Sequence, residues 1–252
     1  MTESTAESTN GTTLFGRNPV IAALQSERSI NKILISQGAS GPEIDAIKEL
    51  ARENGVVYQF VERRQLDTIV DGNHQGVAAM VSERPYVEVS DLLDLAKDRG
   101  EAPFLAVLDG LQDPHNLGSI IRSADASGAH GIIIPRRNAV GITPTVVKAS
   151  AGAVDFMPVS RIPNVKQTLD GLKSSGVWCI GLEADGESTF NQADYTSPVA
   201  IVVGSEGKGL RPLVRKTCDS VVRLPIVGHT GSLNASVAAA LVMYEVFRQR
   251  NP

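Results

Sequence analysis

Long apolar runs are absent from this chain of 252 residues. None approaches the ~18–20 residues that a membrane-spanning helix needs, so no membrane is expected. The first thirteen residues, Met1–Thr13, are rich in Ser, Thr and Glu and lack both a basic n-region and an apolar h-region. They read as a disordered tail, not a secretory signal. Cysteine is scarce, with Cys179 and Cys218 far apart in apolar, strand-like contexts. A disulfide framework is thereby excluded; buried free thiols in a reducing, cytoplasmic compartment are expected. The four histidines, His74, His115, His130 and His229, show no metal-ligand spacing, and no metal is expected. Excess positive charge is also missing. The net charge is −4, with 8 Lys/Arg against 11 Asp/Glu over residues 1–84 and 16 against 17 over residues 85–252. Phosphate neutralisation dominates nucleic-acid affinity, so any RNA contact must use local clusters such as Arg63-Arg64, Arg136-Arg137 or Arg211/Arg215/Lys216. Neither the G-x-x-x-x-G-K-[ST] phosphate loop nor the G-x-G-x-x-G dinucleotide fingerprint occurs.

What remains is an ordinary globular composition, 42% hydrophobic and 21% charged. In the first third, β-rich runs at residues 33–36, 56–61 and 76–82 alternate with helical patterns at 19–25 and 42–54. The second helix carries Ile44, Ile47, Leu50 and Ala51 as one apolar stripe. A small α/β domain over residues 14–84 follows. Arg84-Pro85 ends its last strand, and residues 85–103, with a helical segment at 89–98, read as a linker. From Phe104 on, near-continuous apolar runs appear at 104–108, 131–134, 177–182, 199–203 and 221–226. Continuous runs imply strands buried on both faces, hence an α/β domain with a mostly parallel sheet over residues 104–252.

Ligands bind outside the carboxyl ends of parallel strands, and three such ends carry Gly-rich polar turns. The first turn runs from Asp109 through Asn116 to Arg122. Asn116 suits a helix N-cap, with Leu117, Ile120, Ile121 and Ala124 as the helix's core face and Arg122 off it. The second is Gly204-Ser-Glu-Gly-Lys-Gly, where three glycines allow close backbone approach to a ligand and Glu206 is the acid. The third runs from Leu224 to Leu241. In it Ser232 or Asn234 caps a final helix whose apolar face includes Val237, Leu241, Tyr244 and Phe247.

In order and spacing these three loops resemble the signature motifs of the SpoU branch of the SPOUT RNA methyltransferases. The N-terminal segments Leu14-Phe-Gly-Arg-Asn-Pro-Val and Gly72-Asn-His-Gln-Gly-Val-Ala are similar to the substrate-binding domain of the 23S rRNA guanosine 2′-O-methyltransferases. The resemblance implies a deep trefoil knot that sequence physics would not suggest, and a homodimer sharing its active sites. It also implies S-adenosyl-L-methionine as cofactor and a ribose 2′-hydroxyl of ribosomal RNA, by this resemblance alone that of a 23S guanosine, as methyl acceptor. Carried over residue by residue, Asn116, Arg122, Glu206, Ser232 and Asn234 become catalytic, and Gly204, Leu224, Ile226, Gly228 and Leu233 hold the adenosyl group. Arg17, Asn18, His74 and Gln75 become RNA contacts, with His74 and Gln75 on an exposed turn. Because an arginine does not normally accept a proton, Arg122 is expected to hold phosphate and stabilise the developing alkoxide, with Glu206 or water taking the proton. Two alternatives stay open: methylation of transfer RNA or another rRNA site, and a non-catalytic ribosome-assembly factor.

Overall fold

The computed structural model describes residues 12–25, 29–70, 72–81 and 86–251. Apart from Thr12 and Thr13, the tail expected over residues 1–13 lies outside them. The chain divides into two compact units, Met1–Pro85 with Ile142–Thr145, and Tyr86–Gly141 with Val146–Pro252.

The first unit runs β1 (Thr12–Phe15), α1 (Arg17–Gln25), β2 (Ile30–Ser36), α2 (Pro42–Glu53), β3 (Tyr58–Val61), α3 (Arg63–Ile69) and β4 (Val77–Val81). Its sheet has the order β1-β4-β2-β3; only β2 and β3 are parallel. Alternation along β2 divides its side chains between two faces. Ile33 and Ile35 join Val20, Ala23 and Leu24 of α1 and Ile44, Ile47 and Ala51 of α2, while Leu34 packs with Val61, Leu66 and Val70 beside α3. The stripe expected on α2 is therefore buried, with Leu50 only partly so. β1 escaped the sequence reading because its Thr-Thr start lacks an apolar pattern.

The second unit continues with α4 (Val89–Asp98), β5 (Phe104–Asp109), α5 (Pro114–Ala126), β6 (Gly131–Pro135), α6 (Pro144–Ala149), β7 (Val159–Ile162), α7 (Val165–Ser174), β8 (Trp178–Leu182), β9 (Ser188–Thr189), β10 (Val199–Gly204), α8 (Pro212–Thr217), β11 (Ser220–Arg223) and α9 (Ala235–Arg250). Seven strands in the order β7-β6-β5-β10-β8-β11-β9 pair in parallel throughout. Every residue of β5, β6 and β10 is buried, as the unbroken apolar runs require.

One face of this sheet is covered by Leu92 of α4, Val165, Leu169 and Leu172 of α7 and Val214 of α8. The stretch read as a linker thus contains a helix that belongs to the core: Leu92 and Ala96 are fully buried. On α5 the expected stripe Leu117, Ile120, Ile121 and Ala124 has no exposed surface. Its three larger side chains contribute roughly 5–9 kcal/mol of transfer free energy. Gly118 lets α5 lie close on α6, since a Cβ there would stand 2.9 Å from both Val146 O and Ser150 N.

The expectation for α9 is corrected. Its buried face is Ala239, Val242, Met243 and Val246, whereas Val237, Leu241, Tyr244 and Phe247 are exposed. Both stripes are apolar, and it is the packing of α9 against α5 and β10 that selects one of them. The guanidinium of Arg250 fastens the end of α9, donating to the carbonyls of Ala102, Pro103, Tyr195 and Ser197. The run 221–226 is also shorter than expected. It leaves the sheet after Arg223, freeing Leu224 and Ile226 to line a cavity.

Candidate active site

β5, β10 and β11 end on the same edge of the parallel sheet, and the loop after each supplies one polar side chain to a common network. After β5, Asp113 caps α5, its carboxylate accepting from His115 N at 3.1 Å and Asn116 N at 3.3 Å. This corrects the cap assigned to Asn116. Pro114 occupies the first helical position, where a missing N–H costs nothing, so the helix begins three residues earlier and the Asn116 side chain is released. That side chain is buried, 6% exposed. Its Oδ1 accepts from Asn234 Nδ2 at 3.0 Å, and its Nδ2 donates to the Glu206 carboxylate. Asn234 in turn caps α9, accepting from Ser236 N at 2.9 Å and Val237 N at 3.3 Å. A planar amide suits the middle of this chain because it donates and accepts at once.

Beside the network lies a cavity of about 400 Å³, lined by the Gly204–Gly209 turn, by Leu224 and Ile226, and by the segment Gly231–Leu233. Gly204 is needed here for space. A Cβ would collide with the backbone of Gly209 and Leu210, because the turn folds back on itself through Ser205 N to Gly209 O at 3.1 Å and Gly209 N to Ser205 O at 2.9 Å. Glu183, just past β8, also lines the cavity and accepts from Leu210 N. Sequence reasoning missed it, although it ends a fourth parallel strand on the same edge. Asp109, 1% exposed, holds the far end of the turn by accepting from Arg211 N at 2.9 Å and Nε at 2.8 Å. The walls are backbone polar groups, small residues and aliphatic side chains, with one acidic group at each side. Such a lining fits a nucleoside-sized ligand.

Of the residues expected at the site, Gly204, Glu206, Leu224, Ile226, Ser232 and Leu233 line the cavity, and Asn116 and Asn234 brace it. Gly228 is exposed and lies off the lining. Arg122 stands on the outer side of α5, exposed, and its side chain makes no hydrogen bond or ion pair with another of the described residues. In the first unit, Arg17 and Gln75 meet: Gln75 Oε1 accepts from Arg17 N at 3.1 Å and Gln75 O from Arg17 Nε at 3.3 Å. Arg17 also pairs with Glu43 at 3.0 Å. The carboxyl of Glu43 is held below its usual range, first by its own backbone hydrogen bond and then by Arg17. Asn18 is exposed beside them.

His74 departs from expectation, being buried at 2% exposure. Its Nδ1 accepts from Gly76 N at 2.9 Å, which leaves the proton on Nε2, 2.9 Å from Asp67 Oδ1. The ring clamps the turn whose neighbour Gln75 faces solvent. Two members of the basic cluster read from the sequence are likewise committed to internal pairs, Arg211 with Asp109 and Arg215 with Asp185 at 3.0 Å. Cys179 is buried and Cys218 half-buried, and burial pushes both thiols up to about 12. Among the described residues, no cluster of His, Cys, Asp and Glu could hold a metal ion, and no helix is long and apolar enough to cross a membrane.

A parallel α/β unit whose three motif loops converge on a nucleoside-sized cavity defines an α/β protein with its ligand site at the carboxyl edge of the sheet. Comparison with known proteins makes the class specific. Residues 103–244 match the SpoU rRNA Methylase family, and residues 13–87 match the RNA 2′-O ribose methyltransferase substrate-binding family. The chain belongs to the SpoU family of RNA methyltransferases. YacO of Bacillus subtilis, described as belonging to the TrmH family of tRNA/rRNA methyltransferases, is 47% identical over 239 residues, covering 95% of this chain and 96% of that protein. Among solved structures, AviRb of Streptomyces viridochromogenes, a SpoU methyltransferase in complex with AdoMet, aligns with a TM-score of 0.61 at 27% identity, over 94% of this chain and 90% of that one. An AdoMet-bound rRNA methyltransferase of Sinorhizobium meliloti gives 0.59 at 28% identity, over 94% and 86%.

Proposed function

We propose that this chain transfers the methyl group of S-adenosyl-L-methionine to a ribose 2′-hydroxyl of 23S ribosomal RNA, on a guanosine, in the cytoplasm. The carrying observation is the hydrogen-bonded chain Glu206–Asn116–Asn234, which brings all three motif loops to one cavity. When bound there, the cofactor supplies an activated methyl group on sulfur. The protein has then to hold the acceptor oxygen in line and remove its proton, and placement alone is worth up to ~7–11 kcal/mol. Glu206 is an exposed carboxylate oriented by the Asn116 amide, and it is the proton acceptor in this reading. Arg122 binds phosphate and stabilises the developing alkoxide; its freedom from internal partners supports that role.

The same reading includes a homodimer. The exposed stripe Val237, Leu241, Tyr244 and Phe247 is an apolar face of the kind that marks interfaces. Arg122 on the outer side of α5 suits a site completed by a second subunit. The trefoil knot belongs to the proposal as well, since the segment after β11 and the turn after β10 wrap one cavity. The N-terminal unit contributes RNA contacts through Arg17, Asn18 and Gln75, with His74 shaping their turn.

The test is nucleoside mass spectrometry after incubating the protein and S-adenosyl-L-methionine with unmodified 23S rRNA or with transfer RNA. New 2′-O-methylguanosine in 23S rRNA, lost in Asn116→Ala and Arg122→Ala, is the expected outcome. Methylation of transfer RNA alone overturns the assigned substrate. Binding of rRNA with no methylation of either RNA favours an assembly factor.

A further inference from the structure

Ser205, Glu206 and Lys208 line a second cavity as well as the first. It measures about 230 Å³, and Gly110, Gln112 and Asp113 complete its lining. That volume far exceeds the ~30 Å³ of a water and falls below the ~300–1,000 Å³ of a pocket for a whole drug-sized ligand. One nucleoside moiety is the ligand of that scale.

The lining decides which moiety. Two carboxylates, Asp113 and Glu206, face one ammonium, Lys208, so the pocket is acidic and repels phosphate. The N-terminus of α5 would otherwise attract an anion, but the Asp113 cap occupies it. A neutral group with both donors and acceptors is favoured. Each Asp113 oxygen gives one lone pair to a helix amide and keeps another. Gln112, Ser205 and Lys208 form no side-chain hydrogen bond or ion pair with another described residue.

We propose that this second cavity is the subsite for the base of the nucleotide being methylated, that it selects guanine through Lys208 and the facing carboxylates, and that Gln112 is a further base-binding residue. The proposal rests on the ribose methyltransferase reading above, because Glu206 must lie between base and methyl donor. Guanine presents N1–H and the 2-amino group as donors to a carboxylate, and O6 and N7 as acceptors for an ammonium and an amide N–H. Adenine offers an amino group where guanine has O6, which sets donor against donor at Lys208. The first signature loop thus does two jobs. Asn116 braces the proton-accepting Glu206 from inside the helix, and Gln112, before the cap, holds the base.

The experiment titrates protein saturated with S-adenosylhomocysteine with guanosine, inosine or adenosine 5′-monophosphate and follows the amide NMR signals of Gly110, Gln112 and Ser205. Guanosine monophosphate is expected to shift them saturably, with inosine monophosphate about fivefold or more weaker for want of the 2-amino group, as loss of one base-edge contact implies. Gln112→Leu should weaken guanosine monophosphate by a similar factor and leave S-adenosylhomocysteine affinity unchanged. Equal responses to the guanosine and adenosine nucleotides, no response at these signals, or an unaltered Gln112→Leu overturns the subsite. The two readings fail separately. Nucleotide shifts without methylation of any RNA sink the methyltransferase reading and keep the pocket; methylation by a chain whose pocket ignores all three nucleotides does the reverse.

Discussion

Replacing Asn116 by Asp changes one atom group at the centre of the polar network and should be felt as a pH-dependent loss of stability. The new carboxylate keeps an acceptor for Asn234 Nδ2 but loses the N–H that now reaches Glu206. Loss of a hydrogen bond to a charged group costs about 1.5–3 kcal/mol. Two like charges ~4 Å apart add about 4 kcal/mol at an effective dielectric constant of ~20. Glu206 is exposed, so solvent screens much of the second cost, and the pair can take up one proton. A net loss of about 2–4 kcal/mol at pH 8 follows, equivalent to a fall in Tm of about 5–15 °C for a chain of this size.

The sign of the pH dependence is set by the repulsion. Crowding the two carboxylates raises the upper folded-state pKa of the pair above its unfolded value near 4. The folded variant then binds the extra proton more tightly than the unfolded chain does. Its deficit is largest above that raised pKa and shrinks as the pH falls through it. Asn116→Ala loses the hydrogen bonds without gaining a charge, so its deficit should stay nearly flat. Thermal unfolding of both variants and the parent at pH 5, 6.5 and 8 checks this. An Asp variant no worse than the Ala variant at pH 8, or equally destabilised at every pH, would refute the reasoning.

Gly204→Ala should displace the turn after β10, because its Cβ meets the Gly209 and Leu210 backbone. Calorimetry is expected to show S-adenosyl-L-methionine affinity reduced about tenfold or more, with an overpacking cost of about 1–3 kcal/mol in stability. Asp109→Ala removes the buried acceptor of Arg211, whose side chain is 57% exposed and can turn to solvent. The expected cost is therefore about 2 kcal/mol, below the ~3–5 of a fully buried pair, read as a lower urea midpoint at constant slope. His130, 1% exposed, accepts from Phe104 N at 3.0 Å, and burial lowers its pKa despite the nearby Glu101. The unfolded chain then binds the extra proton as the pH falls below ~6.5, so stability drops there by at most ~1.4 kcal/mol per pH unit. His130→Asn keeps an acceptor for Phe104 N and should abolish that component; an unchanged pH profile contradicts the assignment.

Short-range signals made much of this protein legible in its sequence. The unbroken apolar runs of β5, β6, β8 and β10 announced a buried parallel sheet because such strands leave no face for polar residues. The stripe of α5 was readable because that helix has a single apolar face. The motif loops stood out because tight turns and close backbone approach demand Gly, Pro, Asn and Ser at set spacings, and eight of the ten residues expected to be catalytic or cofactor-binding prove to line or brace one cavity. Strands β1, β7 and β9 were invisible because each is too short or too polar to show a pattern.

Tertiary structure alone decided the rest. Asn116 could have capped its helix or served the site, and the choice fell when Asp113 took the cap and Glu206 and Asn234 arrived from 90 and 118 residues away. On α9 two apolar stripes competed for the core, and neither composition nor period ranks them; the position of β10 and α5 does. His74 looked like an exposed turn residue until Asp67 and the Gly76 amide enclosed it. Glu183 lies outside every motif, and Gln112 and Lys208 were given no role within theirs; they matter because the ends of β8, β5 and β10 lie on one edge. Periodicity and turn chemistry are local properties of the chain, whereas burial and the pairing of distant polar groups depend on which elements become neighbours.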